Sequence, residues 1–299
     1  MSRWTILCTA LIFVGSACFA SETETGSTGW KMSLDFNFNV TQNSYSDNWA
    51  GGEAGNVTWV SSANGVFEKQ VSPKFNSKTT LKLAFGQTHT QDQETKNWLK
   101  PVKSTDKIDI ESVGRFTLNL IVDPYLAVRF ESQFLDASEE SFKRYVNPVL
   151  FTFSSGFAKK IWHRPEKDEL ISRLGLAVRE NISRDIVDLE NRKTETNTAT
   201  DGGIESVTDF NVVLNDKIGL TSKLALFKAL FNSKKDDLKG QPNEDYWKAI
   251  DVNFENTIAV SITKYVQVSL YTQLLYDKEV SLGGRFKETL SLGLTYKML

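Results

Sequence analysis

Cysteine is almost missing from this chain: both copies, Cys8 and Cys18, fall within the first twenty residues. Once that stretch is removed the chain has no thiol, so disulfides and cysteine metal sites are excluded. Histidine is as scarce, with His89 and His163 far apart in sequence, and that supports no histidine-based metal site. An excess of positive charge is also lacking: Lys and Arg number 35 against 37 Asp and Glu, a formal net charge of -2. Such a chain carries no electrostatic footprint for nucleic acid. No nucleophile elbow, phosphate loop or calcium-loop pattern occurs. After residue 20 no apolar run reaches helix-spanning length, so any membrane span has to be made of strands.

What is present begins with a processing segment. Arg3 precedes an apolar run from Trp4 to Val14, then the small residues Gly15 to Ala20, then polar Ser21-Glu22-Thr23-Glu24. This order predicts a secretory signal peptide over residues 1–20, cleaved after Ala20, and a single mature domain over 21–299. Lipidation at Cys18 is the alternative, but Gly15 stands where a lipoprotein signal usually has Leu.

The mature chain alternates. In Trp30 to Val40, Trp30, Met32, Leu34, Phe36, Phe38 and Val40 share one face and Lys31, Ser33, Asp35, Asn37 and Asn39 the other. A period of two is a strand with one apolar and one polar face, and it recurs about twelve times. Later examples are Leu126, Val128 and Phe130; Leu174, Leu176 and Val178; and Ile250 to Ile262. The fourth segment reads as Ile108 through Leu120 with a tight turn at Val122-Tyr125. Connections alternate between short turns, as at Asn215-Lys217 and Thr263-Tyr265, and long polar loops at 42–56, 88–106, 136–147, 183–206, 232–246 and 277–285. Short turns on one rim and long loops on the other predict an all-β, up-and-down antiparallel transmembrane barrel of about twelve strands.

Alternation alone does not say which face meets which medium. The polar face carries small residues such as Thr117, Asn119, Thr152, Ser154, Gly156, Gly175, Ser291 and Gly293, which suit a crowded lumen. The apolar face is rich in Leu, Ile, Val and Phe, and each such side chain left in water forgoes roughly 1.5–3 kcal/mol. Filling a closed barrel with them would need a large ligand or a second sheet; acyl tails outside need neither. Tyr125, Trp162, Tyr265, Trp30 and Tyr296 fall near one rim, as in an interfacial girdle. The terminal LSLGLTYKML resembles the C-terminal signal of outer-membrane barrels, although it ends in Met298-Leu299 rather than an aromatic in phase.

Chemistry-bearing groups are sparse. His89 continues the outward phase of Leu81, Leu83 and Phe85 and is the only candidate base for a lipolytic barrel, with no nearby nucleophile motif. Polar-phase charges are Lys31, Asp35, Lys82, Asp109, Glu111, Arg115, Arg129, Glu131, Arg173, Arg179, Asp251, Glu255 and Lys287. Mixed sign on neighbouring strands predicts a lumen network of paired charges, because unpaired charges in a narrow interior are costly; the other reading is a selective constriction.

In the first long loop, Asn48-Trp49 followed by Gly51-Gly52 suggests a tight turn with glycines at positive φ and the Trp packed over it. With these residues and the following NVTWVSSANG, the chain is similar to an uncharacterised bacterial family of outer-membrane β-barrel-like proteins, a domain of unknown function. The resemblance implies an envelope location and a barrel, and it transfers no activity or ligand. The expectation is therefore an exported outer-membrane barrel without catalysis or cofactor, acting as a narrow solute channel or a structural envelope protein. Its expected partners are outer-membrane lipid, the barrel-insertion machinery and a small solute. A secreted or periplasmic soluble β-rich binding protein and a lipolytic barrel enzyme are the alternatives.

Overall fold

The computed structural model describes residues 29–45, 54–118, 120–164 and 168–297. The expected signal peptide, Asn119 and the loop motif Asn48, Trp49, Gly51 and Gly52 lie outside these residues. The strands are β1 (Trp30–Asn43), β2 (Asn56–Ser72), β3 (Phe75–Thr90), β4 (Val102–Arg115), β5 (Asp123–Ser132), β6 (Leu135–Asp136), β7 (Arg144–Tyr145), β8 (Val149–Arg164), β9 (Asp168–Asp188), β10 (Lys193–Asn215), β11 (Ile218–Asn232), β12 (Ile250–Ser261), β13 (Val266–Tyr276) and β14 (Arg285–Lys297). Tyr246–Lys248 adds one 3₁₀ turn. Among the described residues no helix is long and apolar enough to cross a membrane.

Twelve strands close into one barrel in the order β1-β14-β13-β12-β11-β10-β9-β8-β5-β4-β3-β2, while β6 and β7 pair only with each other. Every barrel strand is antiparallel to its neighbours, so the topology is the expected meander. Exposure settles the orientation of the faces. On β9, Leu174 and Leu176 are 60% and 64% exposed, whereas Arg173 and Ala177 are 3% exposed. Leu126 and Ala127 on β5, and Phe157 and Ala158 on β8, show the same contrast. Apolar rows therefore face outward and polar or small rows inward, the arrangement of a barrel that crosses lipid. A soluble barrel would show the reverse.

The turns at one rim follow from side-chain chemistry. Asn215 Oδ1 accepts bonds from the backbone N–H of Lys217 and of Ile218, both at 2.9 Å, so a polar side chain substitutes for a backbone turn. Thr263 Oγ1 plays the same part for Tyr265 and Val266. At the opposite rim, in the β5–β8 loop, Asp136 Oδ2 holds Asn147 Nδ2 and Arg144 Nη2, each at 2.7 Å, and clips β6 to β7.

Three expectations need correction. The long loop expected at 183–206 is mostly strand: β9 and β10 stay paired from Ser183↔Asn197 out to Asp188↔Lys193 and turn over residues 189–192. Alternation is weak there because both faces of that projecting hairpin meet water, which hid the strands. The fourth strand ends at Arg115 instead of reaching Leu120, and β5 starts at Asp123. Phe116 N–H bonds Pro124 C=O and the Asp123 carboxylate takes Leu118 N–H, so these residues form the turn itself. Tyr125 is no girdle residue: it is 2% exposed and lies inside the barrel, whereas Trp30, Tyr265 and Tyr296 are more than half exposed at that rim.

Candidate functional site

The inward rows of β3, β4, β9, β11 and β12 bring charges together at the middle of the lumen. Glu255 of β12 accepts from Lys82 Nζ at 2.8 Å and from Lys107 Nζ at 2.7 Å. β4, which carries Lys107, lies six positions from β12 in either direction round the twelve-strand order, so this pair spans the full width of the barrel. Gln273 Nε2 adds a bond to Glu255 at 3.3 Å. A carboxylate 4% exposed and held by two ammonium groups satisfies the rule that buried charge must be paired.

A second network lies beside the first. Arg129 donates two bonds to Asp109, from Nε and Nη2, each at 2.9 Å, and its Nη2 lies 3.0 Å from Glu131. This two-point geometry is the strong form of a guanidinium–carboxylate pair. Lys107 Nζ is 3.6 Å from Asp109 and so links the two networks. Glu111 forms a third centre: it accepts from Arg173 Nη2 at 2.7 Å and from Lys223 across the lumen. Arg173 also reaches Asp209 at 3.4 Å and sits 5.5 Å from the centre of the Tyr125 ring. Nearer the long loops, Arg179 grips Asp201 through two nitrogens, reaches Asp251 at 2.8 Å and lies 3.7 Å over Phe227.

Between these networks and the short-turn rim is a cavity of about 640 Å³ lined by Asp35, Lys78, Arg115, Glu169 and Lys223 among others. Glu169 stands at its wall between Lys78 and Lys160, each at 3.3 Å. Arg115 Nε is 3.9 Å from Asp123.

Lys82, Asp109, Glu111, Arg115, Arg129, Glu131, Arg173, Arg179, Asp251 and Glu255 all occupy inward rows and all join ion pairs. Lys31, Asp35 and Lys287 occupy inward rows of β1 and β14. The sequence reading missed Lys107, Lys223, Asp201 and Asp209. Lys223 was legible, since it shares the phase of Thr221 and Ala225 opposite outward Leu224; Asp201 fell in the stretch taken for a loop. His89 pairs with Val57 near the end of β3, and among the described residues no side chain hydrogen-bonds its ring.

A family described as a protein of unknown function (DUF3078) matches residues 40–137, the stretch that contains Asn48, Trp49, Gly51 and Gly52, and it is uncharacterised, as the resemblance implied. No curated protein matches the chain. Among solved structures, an outer membrane channel from Pseudomonas putida F1 is similar at 12% identity, covering 94% of this chain and 98% of that one, with a TM-score of 0.41. The translocator domain of the autotransporter NalP from Neisseria meningitidis is similar at 10% identity, covering 91% and 89%, with a TM-score of 0.37. The β domain of the Bordetella autotransporter BrkA gives 10% identity, 91% and 99% coverage, and a TM-score of 0.32.

Proposed function

We propose that this protein is an exported outer-membrane barrel that acts as a narrow channel for a small polar solute and rests in a constricted state. The reading has residues 1–20 directing export with cleavage after Ala20, and the barrel-insertion machinery delivering the chain into outer-membrane lipid. The outward apolar belt supports the membrane location. A single observation carries the constriction: Glu255 is bridged to Lys82 and Lys107 from the far wall. Side chains that meet across the full diameter leave no wide aqueous path, and both signs are present, so the block is held by charge pairing.

Planar-bilayer recording tests the proposal. Wild-type protein is expected to show only small conductance steps, and Glu255→Gln together with Glu111→Gln is expected to enlarge them severalfold by releasing the cross-lumen lysines. A wild type with large open-pore steps would sink the constricted state. Absence of conductance in both proteins would sink the channel and leave a structural envelope barrel.

A further inference from the structure

The wall of the barrel is not equally sealed all the way round. β1 and β14 pair from Asp35↔Lys297 to Asn39↔Gly293, all toward the short-turn half. Above Asn39, β1 continues to Asn43 paired only with β2, and above Gly293, β14 continues to Arg285 paired only with β13. Among the described residues no register pair joins Val40–Asn43 to Arg285–Leu292. The last contact is tight, since a Cβ on Gly293 would meet the Asn39 side chain and the Phe38 carbonyl. Beyond it the two edges part.

Exposure marks the same gap. Thr41, Asn43 and Lys287 sit on inward rows yet are exposed, unlike inward Thr152, Ser154 and Glu255, which are buried. Unpaired strand edges are not tolerated against hydrocarbon, and irregular backbone at membrane depth occurs where it lines a water-filled or polar cavity. The outer row of β14 above the seam is Leu292, Leu290, Glu288 and Phe286, apolar but for Glu288. Gln42 of β1 lies on the outward row, and Ser222, Asn256, Thr272 and Glu288 form one register line of outward polar residues across β11 to β14 that ends at the gap. Polar side chains turned toward lipid are expensive and mark pathways.

Charge then selects the ligand. Lys287 points inward at the gap and makes no ion pair or hydrogen bond among the described residues. We propose that the upper β1–β14 seam is a lateral portal between lumen and outer leaflet for a single-chain amphiphile with an anionic head. The head, a carboxylate or a phosphate monoester, meets Lys287 in the lumen, while the acyl chain leaves above Val40 and Leu292, between Gln42 and Leu290, into lipid. The Glu255 bridge narrows the axial path, and the seam offers a sideways route beside it. This proposal rests on the membrane-barrel reading, but it does not need axial conductance.

Binding of dodecanoate with a terminal fluorophore, followed by anisotropy of the purified barrel in neutral detergent, tests it. Wild type is expected to bind saturably, and Lys287→Gln about tenfold more weakly, the loss of one charge-assisted hydrogen bond. The mature chain has no cysteine, so Gln42→Cys with Leu290→Cys can be oxidised to close the seam, and Thr41→Cys carrying a bulky maleimide fills it even where the edges do not meet. Either is expected to abolish binding, with Leu176→Cys bearing the same maleimide binding as wild type. Competition by dodecanoate against dodecyl phosphate separates a carboxylate solute from a phosphate lipid head. Undiminished binding in the filled seam, or in Lys287→Gln, overturns the portal. Bilayer currents of Glu255→Gln in the filled-seam background keep the two proposals apart, because failure of one leaves the other measurable.

Discussion

Glu255→Gln is the sharpest probe of the lumen. The substitution keeps the side-chain volume and one acceptor oxygen but removes the charge held between Lys82 and Lys107 at 2.8 and 2.7 Å. Each contact carries about 6 kcal/mol of gross attraction at an effective dielectric of ~20, and most of that is offset by the cost of taking the ions out of water. Breaking a buried pair by removing one partner costs about 3–5 kcal/mol, because the remaining charges lose their counterion. Here the lysine side chains keep 29% and 28% exposure to the lumen, so water can screen part of the loss and the low end, about 3 kcal/mol, is expected. Urea titration of the protein folded into lipid vesicles, read by tryptophan fluorescence, should show a lower midpoint at unchanged slope. A double-mutant cycle of Glu255→Gln with Lys82→Gln should give a coupling of about 1–3 kcal/mol. If Glu255→Gln stays within about 0.5 kcal/mol of wild type, the ordinary range for a surface change, the cross-lumen bridge is not made and the constriction argued from it falls.

Other consequences can be checked in the same preparation. Gly175→Ala should destabilise by about 1–3 kcal/mol through overpacking, since its Cβ would lie 2.2 Å from the Ser155 carbonyl and 2.8 Å from the Tyr125 hydroxyl; Gly283→Ala, with open space around it, should match wild type in the same titration. Leu176→Arg on the lipid face should cost about 2–4 kcal/mol if that position lies near the bilayer midplane, while in a soluble protein the same exposed site would tolerate the change. Glu279 in the β13–β14 loop has its carboxyl raised from 4.5 to about 7, first by burial and then by Asp277, Asp201 and Asp251. An acid whose native value is raised binds its proton more tightly folded than unfolded, so this contribution is present below 4.5 and is lost as the pH rises through 7. Limited proteolysis of the loop is therefore expected to speed up between pH 5.5 and 8 in wild type and to lose that dependence in Glu279→Gln.

Strand phase was the most legible property of the sequence, and the reason is physical. Where one face meets acyl tails and the other a polar lumen, every second position is under opposite constraint, so Leu174, Leu176 and Val178 alternate visibly with Gly175 and Ala177. The projecting part of β9 and β10 has no such contrast, and there Thr194, Thr196 and Thr198 read as loop although they are paired in register. Which charges meet was not legible either. Glu255 finds Lys107 only because twelve strands close and bring β12 opposite β4, a fact of circumference that no local window contains.

The same closure accounts for the uneven wall. A meander that turns tightly at Asn215 and Thr263 fixes register between sequence neighbours, because each hairpin carries its own turn. The β1–β14 seam has no turn to set it; it depends on whatever contacts the two ends can make. At Thr295 Oγ1 and Asn37 Oδ1, 2.6 Å apart, and at Gly293 beneath Asn39, the lower half supplies such contacts. Above them β14 offers Glu288 outward and Lys287 inward, and β1 offers Gln42 and Thr41. Gln42 and Glu288 interrupt the apolar outward row that Val40, Phe286, Leu290 and Leu292 otherwise present to lipid. Restoring that row should therefore extend the pairing upward: Glu288→Leu with Gln42→Val is expected to protect the backbone amide of residue 42 from hydrogen exchange. An amide that exchanges as fast as before would show that backbone geometry, and not side-chain polarity, holds the seam apart.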